Sequence, residues 1–398
     1  MSEHVTDSSR QQRWIVPMLP RSPDEAHRAA TPLELFFDLV FVVAVAQAGL
    51  ALHHGLAEAH IAQAVVSYLA VFFAIWWAWV NFTWFASAYD CNDVPYRLAT
   101  FVQLAGALIM AAGVQQAFEE GDFAIATAGY VVMRLAMVTQ YVRAVRSDPS
   151  RRVSSIRYAV GVSACQVGWV VLLFFQGVWW HPIVFIMLGI AELLVPVWGE
   201  RAAAHAWHPG HIIERYGLFT IIVLGESILA TSLGIQSAVE SGEFSIDLVS
   251  IIVGGLLIIF SMWWIYFDWP MDDLLSSLRK AFIWGYGHFL IFASAAAVGA
   301  GLAVGVDQAL HHTELGPIGA GAAVAVPVAV YLIVLWVLHV ATRATSRLQQ
   351  VLIPAVIILV LLTSLAGRQA PLLTGLLLVA LLVVKLVSRY RETTPATT

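Results

Sequence analysis

Thr31 to Gln47 reads TPLELFFDLVFVVAVAQ, and this stretch decides the fold. From Leu39 to Ala46 every residue is apolar, and the run continues to Leu52, about the 20 residues a helix needs to cross a bilayer. Two carboxylates, Glu34 and Asp38, stand at its mouth. Thr31-Pro32-Leu33-Glu34 is a capping box with proline at the first helical position, so Thr31 and Glu34 are expected to close each other's free backbone N–H groups. Asp38 lies four residues on, on the same face and one turn deeper. No cap explains it. A charge in hydrocarbon costs at least about 2.5–3.5 kcal/mol, so Asp38 is expected to face the protein interior and to have a partner or water there.

The rest of the chain has the same character. Of 398 residues, 60% are hydrophobic and 12% charged, and the mean hydropathy is +0.78. A soluble domain carries about 25% charged residues. The composition therefore excludes an ordinary water-soluble enzyme and predicts an all-α, polytopic integral membrane helix bundle. Apolar segments at 33–52, 61–85, 97–117, 123–145, 154–175, 182–199, 212–235, 246–268, 281–304, 318–340, 350–366 and 371–389 predict about 12 transmembrane helices. The last two are the shortest and also fit a re-entrant pair, turned by Gly367, Arg368 and Pro371. Residues 1–30 and 392–398 read as disordered tails. No signal peptide is expected, and the first span serves as the targeting signal.

Charge placement sets orientation. With the N-terminus inside, all but two of the 21 Lys and Arg fall on the inner side; Arg368 is outside and Arg134 lies within a span. Both termini are therefore expected in the cytoplasm. Basic residues at that surface suit anionic membrane lipid and not nucleic acid. Trp76, Trp77, Trp79 and Trp84, and later Trp263, Trp264, Tyr266 and Trp269, read as aromatic belts at headgroup level. These two clusters also expose an internal repeat. Each precedes an acidic loop (Asp90 and Asp93; Asp268, Asp272 and Asp273), and Glu34 and Glu214 each open the first helix of a half. Two six-helix repeats, 31–199 and 200–391, follow, with a shared site possible between them.

TPLELFFDLVF together with ERYGLFTIIVLGESILA (Glu214–Ala230) resembles the bacterial low-temperature-requirement A family across nearly the whole chain from Thr31 onward. The resemblance implies a multi-pass protein of the bacterial inner membrane, named for a cold-growth phenotype. It implies no reaction. A fainter resemblance links the chain to the endolysosomal two-repeat potassium channels, whose first helices carry a Phe-Ser-Asp motif. Phe36-Phe37-Asp38 lacks the serine, and the second half reads Tyr216-Gly217-Leu218 with no aspartate.

The candidate functional residues are the polar ones placed in spans. Asp38, Glu192, Glu226, Arg134 and His288 are candidates for an ion or substrate pathway, with Glu34, Gln47, Gln103, Glu214 and Arg215 as secondary positions. Arg134 needs an acid, and either Glu192 or Glu226 can supply it. Glu226 is three turns from Arg215 and needs another partner. Gln103 and His288 occupy similar places in the two halves. Gly217, Thr220, Ser227, Thr231 and Gly234 form a small, polar stripe that suits close helix packing. His205, His208 and His211 are spaced by three, but Pro209-Gly210 breaks the helix that would align them for a metal. Neither Cys91 nor Cys165 belongs to a metal or disulfide motif, and no catalytic or cofactor motif is present. Transport or permeation of a small ion or solute is the leading expectation. The alternatives are a two-repeat cation channel, a membrane scaffold or sensor, and a lipid-acting enzyme built from interfacial acids.

Overall fold

A computed structural model describes residues 14–22, 25, 28–242, 245–269, 275, 277–339 and 347–393. Among them there is no strand. The α-helices run in order α1 (Pro32–Ala57), α2 (Ile61–Tyr89), α3 (Val94–Ala112), α4 (Val114–Glu119), α5 (Ala124–Ser147), α6 (Arg152–Leu172), α7 (His181–Glu200), α8 (Pro209–Ser241), α9 (Ile246–Phe267), α10 (Leu278–Ala309), α11 (Pro317–His339), α12 (Arg347–Thr363) and α13 (Ala370–Thr393). Among the described residues, ten helical stretches are long and apolar enough to cross a membrane. The last of these runs from Gln350 to Tyr390 across α12 and α13, and α8 is not among the ten, so this measure does not reproduce the expected count of twelve. The architecture is an all-α, multi-pass membrane bundle. Asp272, Asp273, Arg343 and most of both predicted tails lie outside the described residues.

The helices start where the side chains dictate. Thr31 and Glu34 form the expected capping box, each accepting from the other's backbone N–H, at 2.8 and 3.3 Å. Asp93 caps α3, Ser245 caps α9 and Ser277 caps α10. Between α12 and α13 the chain turns through Gly367 at φ 60°, a left-handed conformation that glycine adopts without a Cβ penalty. Outward positions are apolar, as at Val66, Val167 and Met187, while Asp38, Arg134, Glu192 and Arg215 are buried. This inverts the soluble pattern, as hydrocarbon requires.

The chain divides into two compact units. One comprises Met1–Ala44 and Ala74–Arg215; the other comprises Val45–Phe73 and Tyr216–Thr398. These boundaries do not follow the sequence halves 31–199 and 200–391: each unit takes part of α1, α2 and α8. In the first unit α3 and α5 pack backbone to backbone. A Cβ on Gly106 would meet the Gly129 carbonyl at 2.7 Å, and one on Gly129 would meet the Met110 nitrogen at 2.3 Å. The chain ahead of α1 lies along the same unit. Val16 N–H donates to Asp93 at 2.9 Å, Arg21 N–H to the Ala88 carbonyl at 2.9 Å, and the Arg28 guanidinium to the Ser87 and Ala86 carbonyls. In the second unit α10 packs on α11, where Gly301 leaves room for the Ala323 carbonyl, and α9 packs on α13 through Gly254 and Gly375.

The aromatic-belt reading needs correction. Trp76, Trp77 and Trp79 are fully buried, as is Tyr266, and Trp269 is nearly so. Trp263 and Trp264 are exposed, as headgroup-level rings would be. The buried indoles have another use, described next.

Candidate functional site

Three polar assemblies account for most of the predicted residues. The first lies at the start of α1, in the first unit. Arg215 of α8 donates from Nη2 and Nε to the two oxygens of Asp38, at 2.6 and 3.2 Å, in a forked geometry. Its Nη1 lies 3.0 Å from Glu34 Oε1, and His211 Nε2 lies 3.1 Å from the same oxygen, both at ion-pair distance without hydrogen-bond alignment. Trp79 donates its indole N–H to Asp38 at 2.7 Å. Asp38 and Arg215 are therefore partners, and Glu34 is both cap and counter-ion. Two carboxylates meet one guanidinium, and the His211 ring stands beside Glu34. Glu214 sits aside from this pairing and accepts from Ala30 N–H at 3.3 Å.

The second assembly centres on Glu192 of α7, also in the first unit. One oxygen accepts from Arg134 Nη2 at 2.8 Å and from the Trp77 indole at 3.0 Å; the other accepts from Gln166 at 2.9 Å and the Trp169 indole at 3.4 Å. Of the two acids proposed for Arg134, the partner is thus Glu192. Arg134 itself is less well served: Nε and Nη1 have no hydrogen-bond partner among the described residues, and the guanidinium lies 5.7 Å from the Tyr130 ring centroid.

The third assembly lines a cavity and lies in the second unit. Glu226, about midway along α8, lines a cavity of about 310 Å³ together with Gln47 and His53 of α1, Ser227 of α8 and Asp307 of α10. Near one set of helix ends His53 Nε2 lies 2.6 Å from Asp307 Oδ2. Glu226 is half-buried and has no hydrogen-bond or ion-pair partner among the described residues. Such a carboxylate costs at least about 2.5–3.5 kcal/mol at the centre of a span, unless the cavity supplies water, a proton or a cation. A neighbouring cavity of about 370 Å³, lined by residues such as Leu52, Tyr68, Ala297 and Pro327, carries no charged group to orient a ligand.

Gln47 and Glu226 therefore share one cavity, while Asp38 and Glu192 are not on its wall. His288 is not on it either. Its Nδ1 meets the Trp284 carbonyl at 2.7 Å and its Nε2 meets the Tyr266 hydroxyl at 3.0 Å. A carbonyl only accepts, so Nδ1 carries the proton and Nε2 accepts, a neutral ring wedged among Trp284, Tyr216 and Phe292. Gln103 is buried on α3, its amide nitrogen without a partner among the described residues. The Ser/Gly stripe of α8 is a packing seam. Ser227 donates to the Ala295 carbonyl at 2.9 Å, and a Cβ on Gly299 would meet Ser227 Cα at 2.9 Å. Gly234 lies in a segment whose side-chain surroundings are not described.

Sequence reasoning missed Trp77, Trp79, His211 and Asp307. The signal for the indoles was the need itself: two buried acids require donors, and WWAW offers N–H groups on a neighbouring helix. Asp307 falls beyond the apolar segment 281–304, whereas α10 runs on to Ala309.

Asp93 and Asp268 also have cations. Asp93 accepts from Arg143 at 2.6 Å, and Asp268 lies 2.7 Å from Lys385 and 2.5 Å from Arg389. The three loop histidines have separate partners: Glu200 for His205, the Glu25 carbonyl for His208 and Glu34 for His211. In the loop after α2, burial pushes the Asp90 carboxyl up to about 6; nearby Glu34 adds to this, while Arg28 and Arg21 oppose it.

Apolar-faced helices that bury charged pairs in one unit, and in the other line a cavity with a carboxylate lacking a partner among the described residues, define a multi-pass membrane protein with polar groups inside. The sequence profile of the bacterial low temperature requirement A protein (LtrA) family matches residues 29–387, and the chain belongs to that family. It is also similar to a protein of Rhizobium meliloti (strain 1021) described only as uncharacterized, at 28% identity over 303 residues, covering 70% of this chain and 69% of that one. No solved structure matches.

Proposed function

We propose that this protein moves a small ion or solute across the membrane, with the Glu226 cavity as its binding site. One observation carries the reading: a carboxylate without a partner among the described residues, midway along the long helix α8, on the wall of a cavity. Glu192 accepts from Arg134, Trp77, Gln166 and Trp169; Glu226 has no such donor among the described residues. Intramembrane acids facing a cavity mark substrate and ion pathways. In the orientation favoured by the Lys and Arg distribution, with both termini cytoplasmic, the His53–Asp307 pair lies toward the outer face. The two-repeat reading has support of its own, because α3 packs on α5 in one half as α10 packs on α11 in the other. Membrane lipid is the expected neighbour of the basic helix ends.

The test is flux into liposomes carrying the purified protein, with K⁺, Na⁺ and proton gradients and then neutral solutes applied in turn. The expected result is a gradient-specific flux that falls at least about tenfold in a folded Glu226→Gln variant. Folded wild-type protein that passes nothing above empty liposomes overturns the proposal. Flux that Glu226→Gln leaves intact removes the cavity from the path.

A further inference from the structure

The same cavity says more about what it holds. We infer that its ligand is an amphipathic monocation, an amine carried on a compact apolar body. This rests on the transport reading only for its biological use; the binding itself stands apart.

Charge is the first argument. Of the two carboxylates on the wall, Asp307 is already paired with His53 at 2.6 Å. Glu226 is the acid with no hydrogen-bond or ion-pair partner among the described residues, so it is the group left to meet a positive charge. Size and wall chemistry are the second. A dehydrated metal cation asks for a close shell of about six oxygens or a ring of carbonyls. Here the side-chain oxygens are few: Glu226, Asp307 beside His53, the Gln47 amide, and Ser227, whose hydroxyl proton is already given to the Ala295 carbonyl. About 310 Å³ is the share of roughly ten water molecules, far more than a bare ion fills. Most of the wall is hydrocarbon, with Val45 and Leu50 on α1 and Ala296, Ala300 and Ala303 on α10. That is the anatomy of a small-molecule pocket: an apolar body with a few fixed polar contacts. An ammonium donates charge-assisted hydrogen bonds to Glu226 while its carbon skeleton covers the alanine wall. The rim is the third argument. Leu50 and Gln47 are both exposed there, an apolar side chain beside an amide, which suits a solute that partitions into the membrane better than a fully hydrated ion.

The experiment is calorimetric titration of the full-length, detergent-solubilised protein with 2-phenylethylammonium, its neutral counterpart 2-phenylethanol, the anion 3-phenylpropanoate, and K⁺. The amine is expected to bind at least about tenfold more tightly than the alcohol, and the anion more weakly than either. Glu226→Gln is expected to abolish that preference while leaving the alcohol unchanged. If this variant does not fold, the wild-type ratio of amine to alcohol decides alone. Equal binding of amine and alcohol, or binding of K⁺ with none of the amine, overturns the inference. Flux measured beside it separates the two proposals. K⁺ flux lost in Glu226→Gln without amine binding keeps transport and sinks the amine. Amine binding without flux of any solute keeps the amine and sinks transport, and the absence of both sinks both.

Discussion

Arg134 and Glu192 share one contact but do not depend on it equally. Without Arg134, Glu192 still accepts from Trp77, Gln166 and Trp169; without Glu192, the guanidinium has no carboxylate and two of its nitrogens are already unpartnered. Removing one member of a buried pair costs about 3–5 kcal/mol, and replacing both with apolar residues is often close to neutral. Glu192→Leu is therefore expected to destabilise more than Arg134→Met, and the double variant less than the sum of the two, in unfolding of the purified protein. Equal single losses that simply add would refute this account. Asp90 gives a pH test. Its carboxyl is raised from 3.8 to about 6, so the folded state holds the proton more tightly than the unfolded chain does. The associated stability is complete below about pH 4 and is lost as pH rises through about 6. At pH 7.5, Asp90→Asn is expected to gain up to roughly 3 kcal/mol over wild type, and the gain should vanish by pH 4. A variant less stable than wild type at pH 7.5 would show that the Arg21 and Arg28 attractions outweigh burial. At this scale the sequence showed which side chains needed partners and not who the partners were. Pairing Asp38 with Arg215 depends on how α1 and α8 are rotated, and a helix that is apolar on nearly every side leaves rotation unmarked.

Helix contacts were harder to read than helices. The capping box located the start of α1 and apolar length located α9 within about a residue, because each rests on local chemistry, whereas α1 and α3 end about five residues from the expected positions. Which helix touches which is written in small residues, and glycine is common enough in spans that its role shows only in the packed structure. Gly106 and Gly129 are the clearest case. The added Cβ of Gly129→Ala would stand 2.3 Å from the Met110 nitrogen, and helix backbone has no rotamer with which to move aside. Overpacking of this kind costs about 1–3 kcal/mol, against the few tenths to 1 kcal/mol that alanine returns in helix propensity. A net loss of melting temperature is expected for Gly129→Ala. Gly49 is the control, since its added Cβ meets nothing within 4 Å. A melting temperature that rises in both variants would mean that α3 and α5 are not in backbone contact. The Trp misreading belongs to this scale too. Indoles at a span's end serve headgroups or buried acids equally well in composition, and only burial separates the two.

For the molecule as a whole, the bias of Lys and Arg sets an orientation that chemical labelling can check. In a background with Cys91 and Cys165 replaced, a cysteine at Gly121, in the turn before α5, is expected to react with an impermeant maleimide on intact cells. One at Ala202, after α7, is expected to react only once the membrane is opened. The reverse pattern would turn the protein over. The multi-pass bundle was plain from composition alone; the division into units was not, since it cuts through α1, α2 and α8 where no linker or change of composition marks a border. The Asp38–Arg215 pair also sets a schedule for synthesis. Its members are 177 residues apart in the chain, whereas Arg134 and Glu192 are separated by 58. At about 5–20 residues per second, the ribosome delivers Glu192 within roughly 3–12 s of Arg134, but Arg215 only roughly 10–35 s after Asp38. Through that interval α1 carries an acid whose counter-charge has not yet been made, and it waits about three times as long for it as the helix that carries Arg134.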